Sequence, residues 1–189
     1  MIRLFAALPL PPDICEGLAR RQQGLPKARW RTADQLHLTL CFFGEVHEAD
    51  AAELDALLSG VGVEPFDLRL EGAGAFSDGA AGRAVWAGVA PSEPLRRLAG
   101  KCATAARRIG LRPDPRAYRP HVTLAYLRGS PTDRVAAWVA GHDLLRSPSW
   151  RASRFDLYSS WTSTDGSRYD LEREYPLVGA AAAPLEQSA

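Results

Sequence analysis

Hydrophobic and polar positions alternate over short stretches of this chain, and these stretches predict most of its strands. In one of them, Phe66, Leu68 and Leu70 fall on one face while charged residues occupy the positions between them. Other stretches are short apolar runs that end at proline, glycine or a polar turn, which is also typical of strands. The predicted strands cover residues 2–10, 36–43, 66–76, 83–90 and 118–127, followed by two strands on either side of a turn at 163–167.

Apolar residues at helical spacing predict four helices between these strands. The third is the clearest, because Ser92 can cap its first turn, Pro94 lies within that turn and Gly110 follows its last arginines. Asp13 is the expected cap of the first helix. The predicted helices cover residues 12–25, 48–60, 92–110 and 131–141.

The order of these elements predicts the fold class. Strands outnumber helices and the connections are mixed, which favours an α+β fold with antiparallel sheets. Two similar strands, near residues 37 and 121, lie about half a chain length apart. We therefore expect a bilobal fold in which two pseudo-twofold-related sheets form a central cleft and helices cover the outer faces. Residues 1–178 contain no linker and are expected to form one domain, followed by a flexible tail at 179–189.

Composition and charge narrow the classes of function. With 46% hydrophobic and 24% charged residues, the 189-residue chain has the composition of a globular protein. Its net charge is only +1, whereas a protein that binds along a nucleic-acid duplex normally carries a basic excess. Three cysteines without C-x-x-C spacing suit a reducing compartment, and the first apolar run is too short for a signal peptide or membrane span. These features predict a cytoplasmic protein with no membrane partner.

The same polar pair occurs in two of the predicted strands. The segment "QLHLTLCFFGEV" contains His37 followed two residues later by Thr39, and "RPHVTLAYL" contains His121 and Thr123 at the same spacing. Regular alternation places each histidine and its threonine on one face. A single histidine in a strand is usually a packed residue, but the repetition of the whole pattern favours a functional site.

The same alternation predicts the neighbours of each pair. Cys41 and Phe43 are expected on the face of the first histidine, and Ala125 on the face of the second. Tyr126 is expected on the opposite face of its strand.

Two imidazoles that face one cleft can act as a general acid and a general base, because the ordinary histidine pKa of about 6.5 makes both protonation states accessible near neutral pH. Hydrolysis of a cyclic phosphodiester needs both groups, one to take a proton from water and one to protonate the departing ribose oxygen. The two threonine hydroxyls would donate hydrogen bonds to the nonbridging phosphate oxygens. This chemistry requires no metal ion and no other cofactor.

Several segments together resemble the two-histidine phosphoesterases, and within them the bacterial RNA 2′,3′-cyclic phosphodiesterases, also called 2′–5′ RNA ligase-like proteins. They are "RLFAALPLP", the two histidine segments, "VWAGV" and "RFDLYSSWTSTDGSRYDLEREYPL". The resemblance implies a bilobal α+β fold and opening of a 2′,3′-cyclic phosphate at an RNA 3′ end to a 2′-phosphate, possible in reverse as 2′–5′ ligation. It also implies the catalytic set His37, Thr39, His121 and Thr123, with His37 as the acid and His121 as the base.

One position departs from the family pattern. Many relatives continue the second motif as H-x-T-L-A-R, where this chain has Tyr126. Arg119 or Arg128 could supply the missing positive charge near the phosphate or the next nucleotide. Tyr118 and Phe43 could stack on a base. These five residues are the candidate substrate contacts.

Three other interpretations remain open at the level of the sequence. His37, His121 and Cys41 could form a three-ligand zinc site, although the threonines would then have no explanation. The protein could bind RNA ends or nucleotides without turnover. It could also act on a small cyclic phosphate, such as a cyclic nucleotide or an ADP-ribose derivative. In each case we expect a monomer without an obligate protein partner.

Overall fold

The computed structural model describes residues 1–76, 83–114, 116–163 and 166–179, and these residues form ten strands and four helices. The strands are β1 (Ile2–Pro9), β2 (Ala28–Trp30), β3 (His37–Val46), β4 (Phe66–Leu68), β5 (Leu70–Phe76), β6 (Arg83–Val89), β7 (His121–Leu127), β8 (Trp150–Ala152), β9 (Arg154–Ser163) and β10 (Gly166–Pro176). The helices are α1 (Pro12–Ala19), α2 (Glu48–Ser59), α3 (Glu93–Arg108) and α4 (Thr132–Ala140), with a 3₁₀ turn at Ala33–Gln35.

Most strands pair in two antiparallel sheets, which confirms the predicted α+β class. The first sheet has the order β10-β9-β1-β3, and the second has the order β2-β7-β6-β5. The predicted strand at 66–76 divides in two, because β4 leaves the second sheet and pairs with β8 instead. β3, at the edge of the first sheet, lies against β7 of the second. The two histidine strands therefore meet where the sheets adjoin.

The helices are exchanged between the sheets. α3 follows a strand of the second sheet, yet it packs against β3 of the first sheet and against α2. α1 follows a strand of the first sheet, yet it lines a pocket together with Leu70 of β5 in the second. Just after α1, the Gln22 side chain donates a hydrogen bond of 3.3 Å to the carbonyl of Leu124 in β7. Each half of the chain therefore helps to cover the core of the other half.

The N-terminal ends of α3 and α1 show how well the sequence predicts helix caps. Ser92 caps α3, and its hydroxyl accepts a hydrogen bond of 3.4 Å from the backbone N–H of Leu95, as predicted. The prediction for α1 was wrong, because Pro11 holds the capping position and Asp13 lies inside the first turn. There its carboxylate is still favourably placed beside the positive end of the helix dipole.

The predicted tail lies outside the described residues except for Gly179. Among the helices that are described, none is long and apolar enough to cross a membrane.

Candidate active site

A bulge interrupts each histidine strand at the same position in the motif. In β3, Ala6 and Ala7 of β1 pair with Cys41 and Thr39, so that Leu40 between them has no partner. In β7, Val85 and Trp86 of β6 pair with Ala125 and Thr123, so that no residue of β6 stands opposite Leu124. A bulge of one residue moves every later side chain to the other face of its strand. The two strands consequently share one burial pattern over their first seven residues.

In β3 the bulge reverses the predicted positions of Cys41 and Phe43. Both are buried in the core, at 7% and 4% exposure, whereas Phe42 is 54% exposed. The Phe42 ring lies 5.6 Å from the ring of Phe5, which in turn lies 4.9 Å from the ring of His37. Phe42, which the sequence analysis did not select, therefore occupies the histidine face in place of Phe43.

The core position of Cys41 also overturns the zinc site proposed from His37, His121 and Cys41. Its thiol is directed away from the histidine face, and the pKa of the thiol is raised to about 12 because burial disfavours the thiolate. A thiol on the core side of β3 does not face the two imidazoles, so it cannot complete a ligand set with them.

In β7 the bulge exchanges the predicted places of Ala125 and Tyr126. Ala125 is fully buried, and Tyr126 is 36% exposed on the face of His121 and Thr123. Two aromatic residues, Phe42 and Tyr126, thus occupy equivalent positions on the two strands.

Each histidine ring is oriented by a backbone carbonyl two residues before it. Nδ1–H of His37 donates to the carbonyl of Gln35 at 2.9 Å, and Nδ1–H of His121 donates to the carbonyl of Arg119 at 2.7 Å. A carbonyl oxygen can only accept, so the proton of each neutral ring resides on Nδ1. Nε2 of each ring is therefore free to exchange a proton with a ligand.

Aromatic side chains pack against both rings. His37 lies 5.2 Å from the ring of Tyr169 in an edge-on arrangement, in addition to its contact with Phe5. On the other strand, His121 lies edge-on to Phe76 at 5.0 Å. These contacts restrict the rotation of each imidazole and remove water from its sides.

The surroundings of the histidines lower both pKa values. The pKa of His37 falls to about 4, chiefly because burial disfavours the charged ring, and the positive charges of Arg31 and His121 lower it further. Its hydrogen bond to Gln35 acts in the opposite direction. The pKa of His121 is also lowered, again chiefly by burial. Both rings are therefore neutral at pH 7 in the free protein.

Thr39 and Thr123 are half-buried on the same faces as their histidines. The backbone carbonyl of Thr39 accepts a hydrogen bond of 3.0 Å from the hydroxyl of Tyr118. Within the described residues neither threonine hydroxyl has a protein partner. Both hydroxyls are thus available to a ligand.

The other candidate substrate contacts are spread along the cleft strands. Tyr118 is half-buried against the core, and its hydroxyl is engaged by Thr39 as a connection between the two lobes. Arg119 is exposed just before β7. Arg128 is exposed beyond the opposite end of β7, roughly 20 Å from His121 at the usual rise of a strand. Of these three side chains, Arg119 lies nearest in sequence to the second histidine.

Arg31 is a further residue at this junction that the sequence analysis did not select. Its side chain is only 5% exposed. One guanidinium nitrogen donates to the hydroxyl of Tyr169 at 2.7 Å, and the guanidinium carbon lies 5.2 Å from the ring of Tyr169 and 5.4 Å from the ring of Tyr126. No signal in the sequence separates it from the neighbouring surface arginines, because its burial depends on two tyrosines from distant segments.

Comparisons with known proteins show the family to which this chain belongs. A sequence profile described as the 2′–5′ RNA ligase superfamily matches residues 10–162. The RNA 2′,3′-cyclic phosphodiesterase of Escherichia coli is 33% identical over 180 residues, which cover 93% of this chain and 97% of that protein. The protein of the same name from Thermus thermophilus is 31% identical, and the match covers 94% of this chain and 91% of that protein.

Solved structures show the same likeness. The crystal structure of E. coli LigT in its apo form aligns with a TM-score of 0.77 at 29% identity, covering 94% of this chain and 98% of that one. The structure of E. coli LigT complexed with 3′-AMP aligns with a TM-score of 0.76 at 29% identity, covering 93% and 98% respectively.

Proposed function

This chain belongs to the 2′–5′ RNA ligase superfamily, and on that premise we propose that it hydrolyses 2′,3′-cyclic phosphates at RNA 3′ ends to 2′-phosphates. The observation that carries the proposal is the pair of histidine strands, which have the same motif, the same bulge and the same Nδ1 hydrogen bond. Two equivalent imidazoles, one from each strand, suit a reaction that needs one proton acceptor and one proton donor.

In the proposed reaction, Nε2 of His121 takes a proton from water, and the water oxygen attacks phosphorus. The bond from phosphorus to the ribose 3′ oxygen breaks, and that oxygen receives a proton from Nε2 of His37. The hydroxyls of Thr39 and Thr123 donate to the nonbridging oxygens as negative charge builds on them. The product carries a 2′-phosphate and a free 3′ hydroxyl, and the two rings recover their starting states by exchanging protons with solvent.

The acid must gain its proton when substrate binds. In the free protein His37 has a pKa of about 4. Raising that pKa to near 7 requires about 4 kcal/mol of favourable interaction with the bound phosphate, at about 1.4 kcal/mol per unit. A phosphate anion beside the ring supplies an interaction of this sign, since it stabilises the charged imidazole. We therefore assign protonation of His37 to the enzyme–substrate complex.

The face of the two strands offers contacts for the nucleotide. Tyr126 and Phe42, at equivalent positions beyond the bulges, are proposed to stack on bases. Arg119 is proposed to contact the phosphate side of the terminal nucleotide, and Arg128 a nucleotide further along the RNA. Phe43 cannot take part, because it is buried in the core.

We further propose that the protein acts as a monomer in the cytoplasm. Both histidine strands come from one chain, so the site needs no second copy. All three cysteines are unpaired and buried, which fits a reducing compartment. Gel filtration with light scattering tests the first point, and a dimer that dissociates only with loss of activity would contradict it.

The test of function uses the purified protein and a short RNA that ends in a 2′,3′-cyclic phosphate, with chelator present. We expect hydrolysis, and ³¹P NMR of the product should show a 2′-phosphate. The same RNA sequence should be compared with a 2′,3′-cyclic mononucleotide, because a preference for the mononucleotide would indicate a small-molecule substrate. Binding without turnover, or activity that returns only with zinc, would contradict the proposal.

A further inference from the structure

Arg31 is a buried positive charge without a buried negative partner. At 5% exposure, its guanidinium has lost most of its water, and within the described part of the chain no carboxylate forms an ion pair with it. The one side-chain hydrogen bond that it makes to a described residue goes to the neutral hydroxyl of Tyr169. A desolvated charge is costly unless a counter-charge compensates it, so this arrangement favours an anion as a ligand.

The position of Arg31 directs that charge at the catalytic face. Its guanidinium lies between the rings of Tyr126 in the second sheet and Tyr169 in the first, at 5.4 and 5.2 Å. The ring of Tyr169 also lies 5.2 Å from the ring of His37. Tyr126 shares its face with His121, so Arg31 lies at the point where the two histidine faces meet.

We propose that Arg31 binds the phosphate group of the substrate between the two histidines. The planar guanidinium can donate two parallel hydrogen bonds to phosphate oxygens, which fixes the orientation of the group as well as its charge. That the anion is the phosphate of the substrate rests on the proposed function, whereas the binding of an anion by Arg31 does not. This position also supplies a charge where Tyr126 stands in place of an arginine.

A purely structural role for Arg31 predicts different properties. As a connection between the lobes, it would stabilise the fold through two cation–π contacts and would have no effect on anions. As a phosphate ligand, it stabilises the bound anion, in addition to opposing protonation of His37 through its positive charge. Anion affinity therefore distinguishes the two roles.

The first experiment observes wild-type protein directly. Arginine side-chain Nε–H signals are recorded by NMR while inorganic phosphate is added. The Arg31 signal is expected to shift and to saturate at the same phosphate concentration as the ring signals of His37 and His121. An Arg31 signal that does not move while the histidine signals do would overturn the inference. This measurement needs no turnover, so it is independent of the proposed reaction.

The second experiment compares variants by calorimetric titration with inorganic phosphate. Arg31→Met keeps the length of the side chain and removes the charge, and we expect its phosphate affinity to fall by about 10-fold or more. The matched control is Arg97→Met, which removes an exposed arginine of α3 outside the cleft and should bind phosphate like wild type. Wild-type affinity in folded Arg31→Met would overturn the inference.

A rescue variant separates charge from packing. Tyr126 lies under the guanidinium, so Tyr126→Arg in the Arg31→Met background places a positive charge in nearly the same space. The double variant is expected to regain phosphate affinity and to lower the pKa of His37 again. A double variant that melts like wild type but binds phosphate no better than Arg31→Met would refute the role of charge at this place. If neither variant folds, the NMR titration of wild type decides.

Discussion

At the scale of single residues, the two histidines are equal in their hydrogen bonds and unequal in their surroundings. Both donate from Nδ1 to a carbonyl, so both present Nε2 in the same chemical state. Burial is the chief cause of the lowered pKa of both rings, but the charge of Arg31 lowers the pKa of His37 in addition. The proposed difference in role between acid and base therefore has to arise from neighbouring charges and from the bound phosphate.

Removal of either imidazole should abolish most of the activity. We expect His37→Ala and His121→Ala each to lower kcat by about 10²–10⁴-fold, since each removes one proton-transfer group. The double variant should lose less than the product of the two effects, because the pair acts as a unit. His47→Ala, which removes an exposed histidine at the start of α2, is the control. Turnover near the wild-type rate in His37→Ala or in His121→Ala would contradict the proposed mechanism.

The threonines should affect the rate without affecting the titration. Thr39→Val and Thr123→Val keep the shape of the side chain and remove one donor to the phosphate, so kcat should fall by about 10-fold or more. The pH profile of kcat is expected to be bell-shaped and to belong to the coupled histidine pair. Its two midpoints should stay in place in both variants, because a hydroxyl does not titrate in this range. A shifted limb in either variant would show that the threonine acts through its histidine.

At the scale of elements, the bulges decide which side chains reach the cleft. No residue of β1 stands opposite Leu40 and no residue of β6 stands opposite Leu124, and the next three residues of each strand alternate with the opposite phase. A second register shift in β3 follows at Phe43. The bulge gives each strand a small buried residue and then an aromatic residue on the histidine face. A straight strand would place the cysteine and alanine there instead.

Adjacent phenylalanines provide a test of this register. Phe43→Ala should destabilise the protein by about 3–5 kcal/mol, because Phe43 is buried in the core. Phe42→Ala should change stability by less than about 1 kcal/mol, since the ring is 54% exposed, and should raise KM for an RNA substrate instead. Urea unfolding and steady-state kinetics of the two variants are the measurements. A reversed pattern would mean that β3 runs without a bulge.

Local patterns were sufficient for the helices and most strands, and insufficient for the site. The His-x-Thr pairs share a face because only two residues separate their members, so alternation holds over that distance. It failed at Cys41 and Phe43 because a bulge depends on the pairing partner, here β1, which a single strand does not reveal. One signal was present, since "TLCF" and "TLAY" both place two apolar residues before an aromatic one. Arg31 carried no comparable signal, because tertiary packing alone buries it.

At the scale of the whole molecule, the cleft makes stability depend on pH. In the unfolded chain His37 has the ordinary pKa near 6.5, whereas in the folded protein the value is about 4. The unfolded state therefore binds more protons in this window, and stability falls as the pH drops from about 6.5 towards 4. The lowered pKa of His121 acts with the same sign. The pKa of Asp156 is raised in the folded protein, so this carboxyl instead adds stability as the pH drops through the acidic part of the range.

We expect the loss attributable to His37 to reach about 2 kcal/mol between pH 7.5 and 5.0. Urea unfolding at the two pH values measures it. His37→Gln cannot titrate, so its stability should decrease by about 2 kcal/mol less than that of wild type over the same interval. His47→Gln, at an exposed position, should follow the wild-type curve. Parallel curves for wild type and His37→Gln would contradict the lowered pKa.

The exchange of helices between the sheets bears on how this protein can be divided. A fragment that ends before β6 would contain β1 and β3 of the first sheet without β9, β10 and α3, and would leave the face of β3 that α3 covers open to water. The complementary fragment would keep β6 and β7 but would lack β2 and β5, their neighbours in the second sheet, as well as α1. Neither half is a module that could be transplanted alone, in spite of the repeated motif. A designer who wished to build this cleft from two copies of one half would have to preserve the crossing of their helices as well as the two histidine strands.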